Sequence, residues 1–119
     1  MSDAFSSAIA GMSANAVRAA VAANNIANFN TPGFKAARAT VAAAEAGQPE
    51  VYISESTRPG TKLQRPDGLP ESAGPEETSN VDLAEAFVQL QTAEYGYKAN
   101  AAVIRSQAEI LGTVLDILA

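Results

Sequence analysis

The chain has 119 residues, enough for one small domain, and its thirteen acidic against eight basic residues give a net charge of −5. Histidine and cysteine are both absent, which excludes thiol nucleophiles, disulfides, most zinc sites and imidazole acid–base chemistry. No cluster of lysine and arginine offsets the negative charge to give a general affinity for nucleic acid, and no run reaches the roughly 18 apolar residues of a membrane span.

The first segment, residues 1–30, reads as a helix. Apolar residues recur at Phe5, Ile9, Met12, Ala16, Ala19, Ala23 and Ile26, in the alternating steps of four and three that make a heptad seam. Ser2 or Asp3 supplies the short oxygen-bearing side chain that caps such a start. The helix runs into ANNIANFNTPGFK, residues 23–35. Asn28 or Asn30 suits the left-handed stop, while Pro32 fixes one dihedral of the following turn and Gly33 supplies the positive one. Asn24 and Asn25 lie inside the helix, where asparagine is a poor former. With Ala23 and Ile26 on the seam, one of the two amides lies beside it, where a half-buried polar group fixes register.

The middle segment, residues 31–79, cannot be one long helix, because it carries all six prolines of the chain. Residues 51–54 alternate weakly, Arg58-Pro59-Gly60-Thr61 fits a type II turn, and residues 62–65 return as a second strand. The expectation is a small β-hairpin or irregular loop, followed by a flexible acidic stretch over residues 67–78. Arg58, Lys62 and Arg65 read as a solvated basic face.

The last segment, residues 80–119, carries a longer seam: Leu83, Phe87, Leu90, Glu94, Tyr97, Ala101, Ile104, Ala108, Leu111, Leu115 and Leu118. Ser79 with Asp82 reads as a capping-box start, and a helix over residues 80–118 would run roughly 58 Å. Gly96 and Gly112 mark points of close backbone approach between subunits. The expected fold is mainly α, with two heptad-patterned terminal helices forming an antiparallel coiled-coil hairpin around the short insert, as one structural unit. With level ends, facing residue numbers sum to about 120, which sets Glu94 opposite Asn25 and Ile26 and lets Asn24 or Asn25 hydrogen-bond its carboxylate. Phe87 and Tyr97 are expected in the core, and Phe34 against its own helix.

Residues 23–35 resemble the N-terminal signature of the bacterial flagellar rod and hook proteins at Asn24, Asn25, Ile26, Ala27, Asn28, Thr31, Gly33, Phe34 and Lys35. The far end, SNVDLAEAFVQLQTAEYGYKANAAVIRSQAEILGTVLDIL, resembles the C-terminal motif of that family at Asn80, Val81, Asp82 and Leu83, at Tyr97, Ala99 and Asn100, and in its leucine-rich close. The sequence departs from the family pattern at Tyr95 and Lys98. Its short insert resembles that of a proximal-rod protein.

The resemblance implies a non-enzymatic structural subunit of the basal-body rod, self-assembling through its terminal helices into a torque-transmitting shaft. It implies an assembly motif at Asn24, Asn25, Ile26, Asn28, Thr31, Gly33 and Phe34. Helix packing falls to Phe5, Ile9, Met12, Phe87, Leu90, Glu94, Tyr97, Asn100, Ile104, Leu111, Leu115 and Leu118. No cofactor or metal is expected. The partners implied are other rod subunits in a helical homo- or hetero-polymer, with membrane-ring and export-apparatus proteins as further candidates, and neither nucleic acid nor direct membrane insertion. The implied location is the basal body on its periplasmic side, reached by export without a cleaved signal peptide. From the residues alone, an uncovered apolar stripe also fits a soluble helical adaptor or export chaperone that binds amphipathic segments. The acidic pair Glu76 and Glu77 lies in a loop with nothing to bury it, which argues against carboxylate catalysis.

Overall fold

The computed structural model describes residues 2–43, 48–63 and 76–118. Helix α1 spans Ser2–Ala27, strands β1 and β2 span Ala37–Ala43 and Pro49–Glu55, and helix α2 spans Leu83–Leu118. The two helices lie antiparallel along a body 82 Å long, and the two-stranded antiparallel sheet packs against α1.

Helix α1 ends in the asparagine run, as its composition requires. The last helical carbonyls accept from Asn28 and Phe29, and Phe34 N–H then closes a turn onto the Thr31 carbonyl at 3.2 Å. Gly33 has φ of 70°, so Pro32-Gly33 forms the centre of a type II turn, in which an L side chain at the second position would be strained. Helix α2 starts later than the Ser79–Asp82 pattern suggests. Asp82 is the N-cap, its Oδ1 accepting from Glu85 N–H at 3.1 Å, while Ser79 Oγ accepts from Val81 N–H in the approach to the helix.

The hairpin sits earlier in the chain than expected. Residues 51–54 do belong to a strand, but their partner is β1, in register from Ala37 opposite Glu55 to Ala43 opposite Pro49. Alternation explains the pairing: Ala37, Ala39, Val41, Val51 and Ile53 share one face, and Arg38, Thr40, Glu50, Tyr52 and Ser54 the other. Lys62, expected to return against β2, instead bridges to Glu77. The proposed type II turn at Arg58–Thr61 is absent, because Gly60 lacks a positive φ and Thr61 N–H goes to Thr78 Oγ1. Arg65 and most of the acidic stretch lie outside the described residues.

The helix pairing departs from the heptad reading in a consistent way. The contact line runs one residue earlier in each helix, through Ala8, Gly11, Asn15, Arg18, Ala22 and Asn25 of α1 and through Ala86, Gln89, Ala93, Gly96 and Asn100 of α2. One residue is about 100° of helix rotation. The large side chains of the expected seam are therefore carried to the flank, where Phe5, Ile9, Phe87 and Tyr97 are all exposed. A line of alanine and glycine lets the two backbones approach closely, which bulky residues would prevent. The register also differs. Gly11 faces Asn100 and Gly96 faces Asn15, so facing numbers sum to 111 rather than 120. The ends are staggered by about nine residues, roughly 13 Å of helix, and the last turns of α2 project past α1.

Candidate functional site

Two constructions made of asparagine dominate the described residues. The first locks the helices together. An added Cβ at Gly11 would lie 2.8 Å from the Asn100 side-chain amide, and one at Gly96 would lie 2.7 Å from that of Asn15. Each asparagine thus fills the space left by the glycine of the opposite helix. Each is also held by its own helix: Asn15 Nδ2 donates to the Gly11 carbonyl and Asn100 Nδ2 to the Gly96 carbonyl, both at 2.9 Å. Ala8 and Ala93, three residues before each glycine, are enclosed.

The second construction ties the insert to the helix ends. Asn25, almost fully buried, accepts from Ala37 N–H at 2.9 Å and donates to the Ala37 carbonyl at 2.6 Å. Its amide therefore does what a neighbouring strand would do for the open side of β1, since a strand residue offers the same donor and acceptor pair. Just before α2, Asn80 bridges the segments that flank the two strands: Oδ1 accepts from Ala36 N–H and Nδ2 donates to the Arg58 carbonyl, both at 2.6 Å. Asn24 and Asn28 stay local, Asn28 Nδ2 donating to the Asn24 carbonyl and Thr31 Oγ1 donating to Asn28 Oδ1.

Glu77 makes a third tie. Its Oε1 accepts from Lys35 Nζ and from Gly60 N–H, both at 2.5 Å, and its carbonyl accepts from Gly33 N–H. The hydrogen bond from Lys35 is the main cause that holds its carboxyl below the ordinary carboxylate range, with the Gly60 amide adding to it. Burial opposes that shift only in part. Beside this knot an ion pair of Arg38 with Glu85 fastens β1 to α2. It spans a cleft of about 300 Å³ that Asn25, Ser56, Asn80 and Gln89 also line.

The expected bond between Glu94 and Asn24 or Asn25 does not form. Asn25 is engaged by Ala37, and Glu94 is exposed and paired with Lys98 one turn on, at 2.6 Å. That hydrogen bond is the first cause raising the Lys98 pKa. Met12, Ile26, Phe34, Leu90, Asn100 and Ile104 are half-buried, whereas Leu111, Leu115 and Leu118 are exposed on the projecting end of α2. Reading for large apolar residues passed over Ala8, Gly11, Asn15, Ala22, Ala86, Ala93 and Glu77. The signal for the helix lock was present as a shared pattern: A-x-x-G-x-x-A-N-A occurs at residues 8–16 and again at residues 93–101.

Among the described residues no group of three or more aspartates and glutamates is placed to hold a metal ion, and no helix is long and apolar enough to cross a membrane. The arrangement holds helices and backbone. No curated protein matches the chain. Two family models do match, at the two ends that carry these constructions. One, described as flagella basal body rod protein, matches residues 5–35, and one, described as flagellar basal body rod FlgEFG protein C-terminal, matches residues 73–117. With these two matches come a structural role and association with other components of the basal body. The chain belongs to the flagellar basal-body rod and hook protein family.

Proposed function

We propose that the chain is a structural subunit of the flagellar rod, most like a proximal-rod protein, which assembles through its terminal helices into the shaft that transmits torque. The observation that carries this reading is the exposure of the large apolar side chains. Phe5, Ile9, Phe87 and Tyr97 lie on the flanks of the helix pair, and Leu111, Leu115 and Leu118 on its projecting end. An exposed apolar surface of this extent on a small protein is an association surface. Coiled-coil contacts with neighbouring subunits then use the seam that the single chain leaves free, and a rotation that does not close yields a helical shaft. The assembly site on this reading is the ANNIANFNTPGFK segment with these flanks, and it acts on the periplasmic side after export without a cleaved signal. Nothing in this role calls for catalysis.

The test is a double change on the flank, Phe87→Glu with Leu115→Glu, made in cells that build flagella. Retained helix content with loss of the chain from purified basal bodies is expected. Full incorporation of the variant overturns the reading. A stable small oligomer that captures amphipathic segments, and is absent from basal bodies, would favour a soluble adaptor or export chaperone.

A further inference from the structure

The helix lock has a symmetry that the chain does not need for pairing α1 with α2. A Cβ added to Gly11 of α1 would lie 2.8 Å from Asn100 of α2, and one added to Gly96 of α2 would lie 2.7 Å from Asn15 of α1, so each half presents what the other half accepts. The pattern A-x-x-G-x-x-A-N-A on both helices makes the contact a local two-fold between unlike segments. If α1 is replaced by the α2 of a second copy, the local two-fold becomes a true one and the interface is isologous. From these contacts we infer that α2 is self-complementary: when α1 is displaced, it pairs antiparallel with α2 of another copy, Gly96 against Asn100 in both directions.

The rest of the face suits that exchange. In the paired copies facing numbers sum to 196, which sets Ala93 against Val103 and Ala86 against Ile110 of the second copy. Ile110 lies past the end of α1 and is 45% exposed in the single chain, so the exchange covers apolar surface that α1 leaves open. An equivalent pairing of two α1 helices would set the charged Arg18 against Ala8 twice, which makes α2 the better self-partner. The tether between the helices keeps α1 at a high effective concentration, on the order of millimolar. The folded chain therefore keeps its own α1 in place, and the self-pairing belongs to states in which α1 is not docked. This inference stands on the lock alone and does not depend on the rod reading.

The full chain can be tested with introduced thiols, because it has no cysteine of its own. Gln89→Cys with Gln107→Cys places thiols that face each other only across two copies; within one helix they are about 27 Å apart, far beyond disulfide reach. Gly11→Leu is added to displace α1, with Ala22→Arg as the alternative where amide exchange finds α1 still docked. On mild oxidation the covalent dimer should rise at least about tenfold over the same thiol pair with Gly11 intact. It should fall back when Gly96→Leu is added, or when Val114→Cys replaces Gln107→Cys and moves the thiol one heptad. A monomer with α1 displaced and α2 still helical overturns the inference. So does a dimer indifferent to Gly96→Leu or to the thiol register, which would be leucine-driven association without the lock.

Discussion

Two faces of the same helices, a single residue apart, behave in opposite ways. The face through Ala8, Gly11, Asn15 and Ala22 is closed against α2, whereas the face through Phe5 and Ile9 is open to solvent, with Ile9 49% exposed. Burial inside one chain goes here to the smallest side chains. Closeness of backbones, and the fit of an amide into a glycine gap, therefore decide which face pairs first. The larger side chains, which hold more apolar area to bury, are left for contacts beyond the chain.

The largest effect that would break this contrast is expected at Gly96. Gly96→Leu drives a side chain into Asn15, and overpacking of this kind costs about 1–3 kcal/mol or more. Ile9→Ala on the open flank should stay within about 0.5 kcal/mol. Urea titrations followed by helix signal measure both; equal losses at the two positions would erase the distinction between the faces. Next in size is Asn25→Ala, which leaves the donor and acceptor of Ala37 without their partner and should cost about 1–3 kcal/mol. Its mark is local: the Ala37 amide should exchange faster while amides in the middle of α2 keep their protection. The smallest effect is the pH response of Glu77. Its folded-state pKa lies below the ordinary 4.5, so the unfolded chain takes up the proton first. The stabilisation is then complete well above 4.5 and is lost as pH falls past that value and through the lower folded pKa. Thermal midpoints between pH 6 and pH 3 should show this loss, and Glu77→Gln should remove that part of the slope.

Much of the architecture was legible in the residues. Helices at both ends, a strand at residues 51–54, and the Pro32-Gly33 turn follow from period, composition and the need for one positive φ. The pairing face was not legible from hydrophobicity, because alanine fills so many positions that more than one phase of the same heptad rhythm is satisfied. Asn15 and Asn100 count as polar on any scale, yet they sit where the helices meet. The register followed the same error, since the choice between 111 and 120 rests on glycine gaps that carry no apolar weight. The partner of β2 was missed because Ala37–Ala43 is rich in alanine, a weak strand former, and it takes its place by alternation and by the grip of Asn25. Of the signature asparagines, the sequence pointed Asn24 or Asn25 at the Glu94 carboxylate, whereas the partner of Asn25 is main chain.

That last detail bears on how freely the insert can change. Asn25 and Asn80 grasp only peptide groups, those of Ala37, Ala36 and Arg58, and a peptide group is common to every residue except proline at its nitrogen. The clasp is therefore blind to what the ribbon carries outward. A foreign hairpin of matching length, grafted between these anchors, should be gripped as firmly as the native one, so the outer decoration of this scaffold can diversify while its two helical ends stay constant.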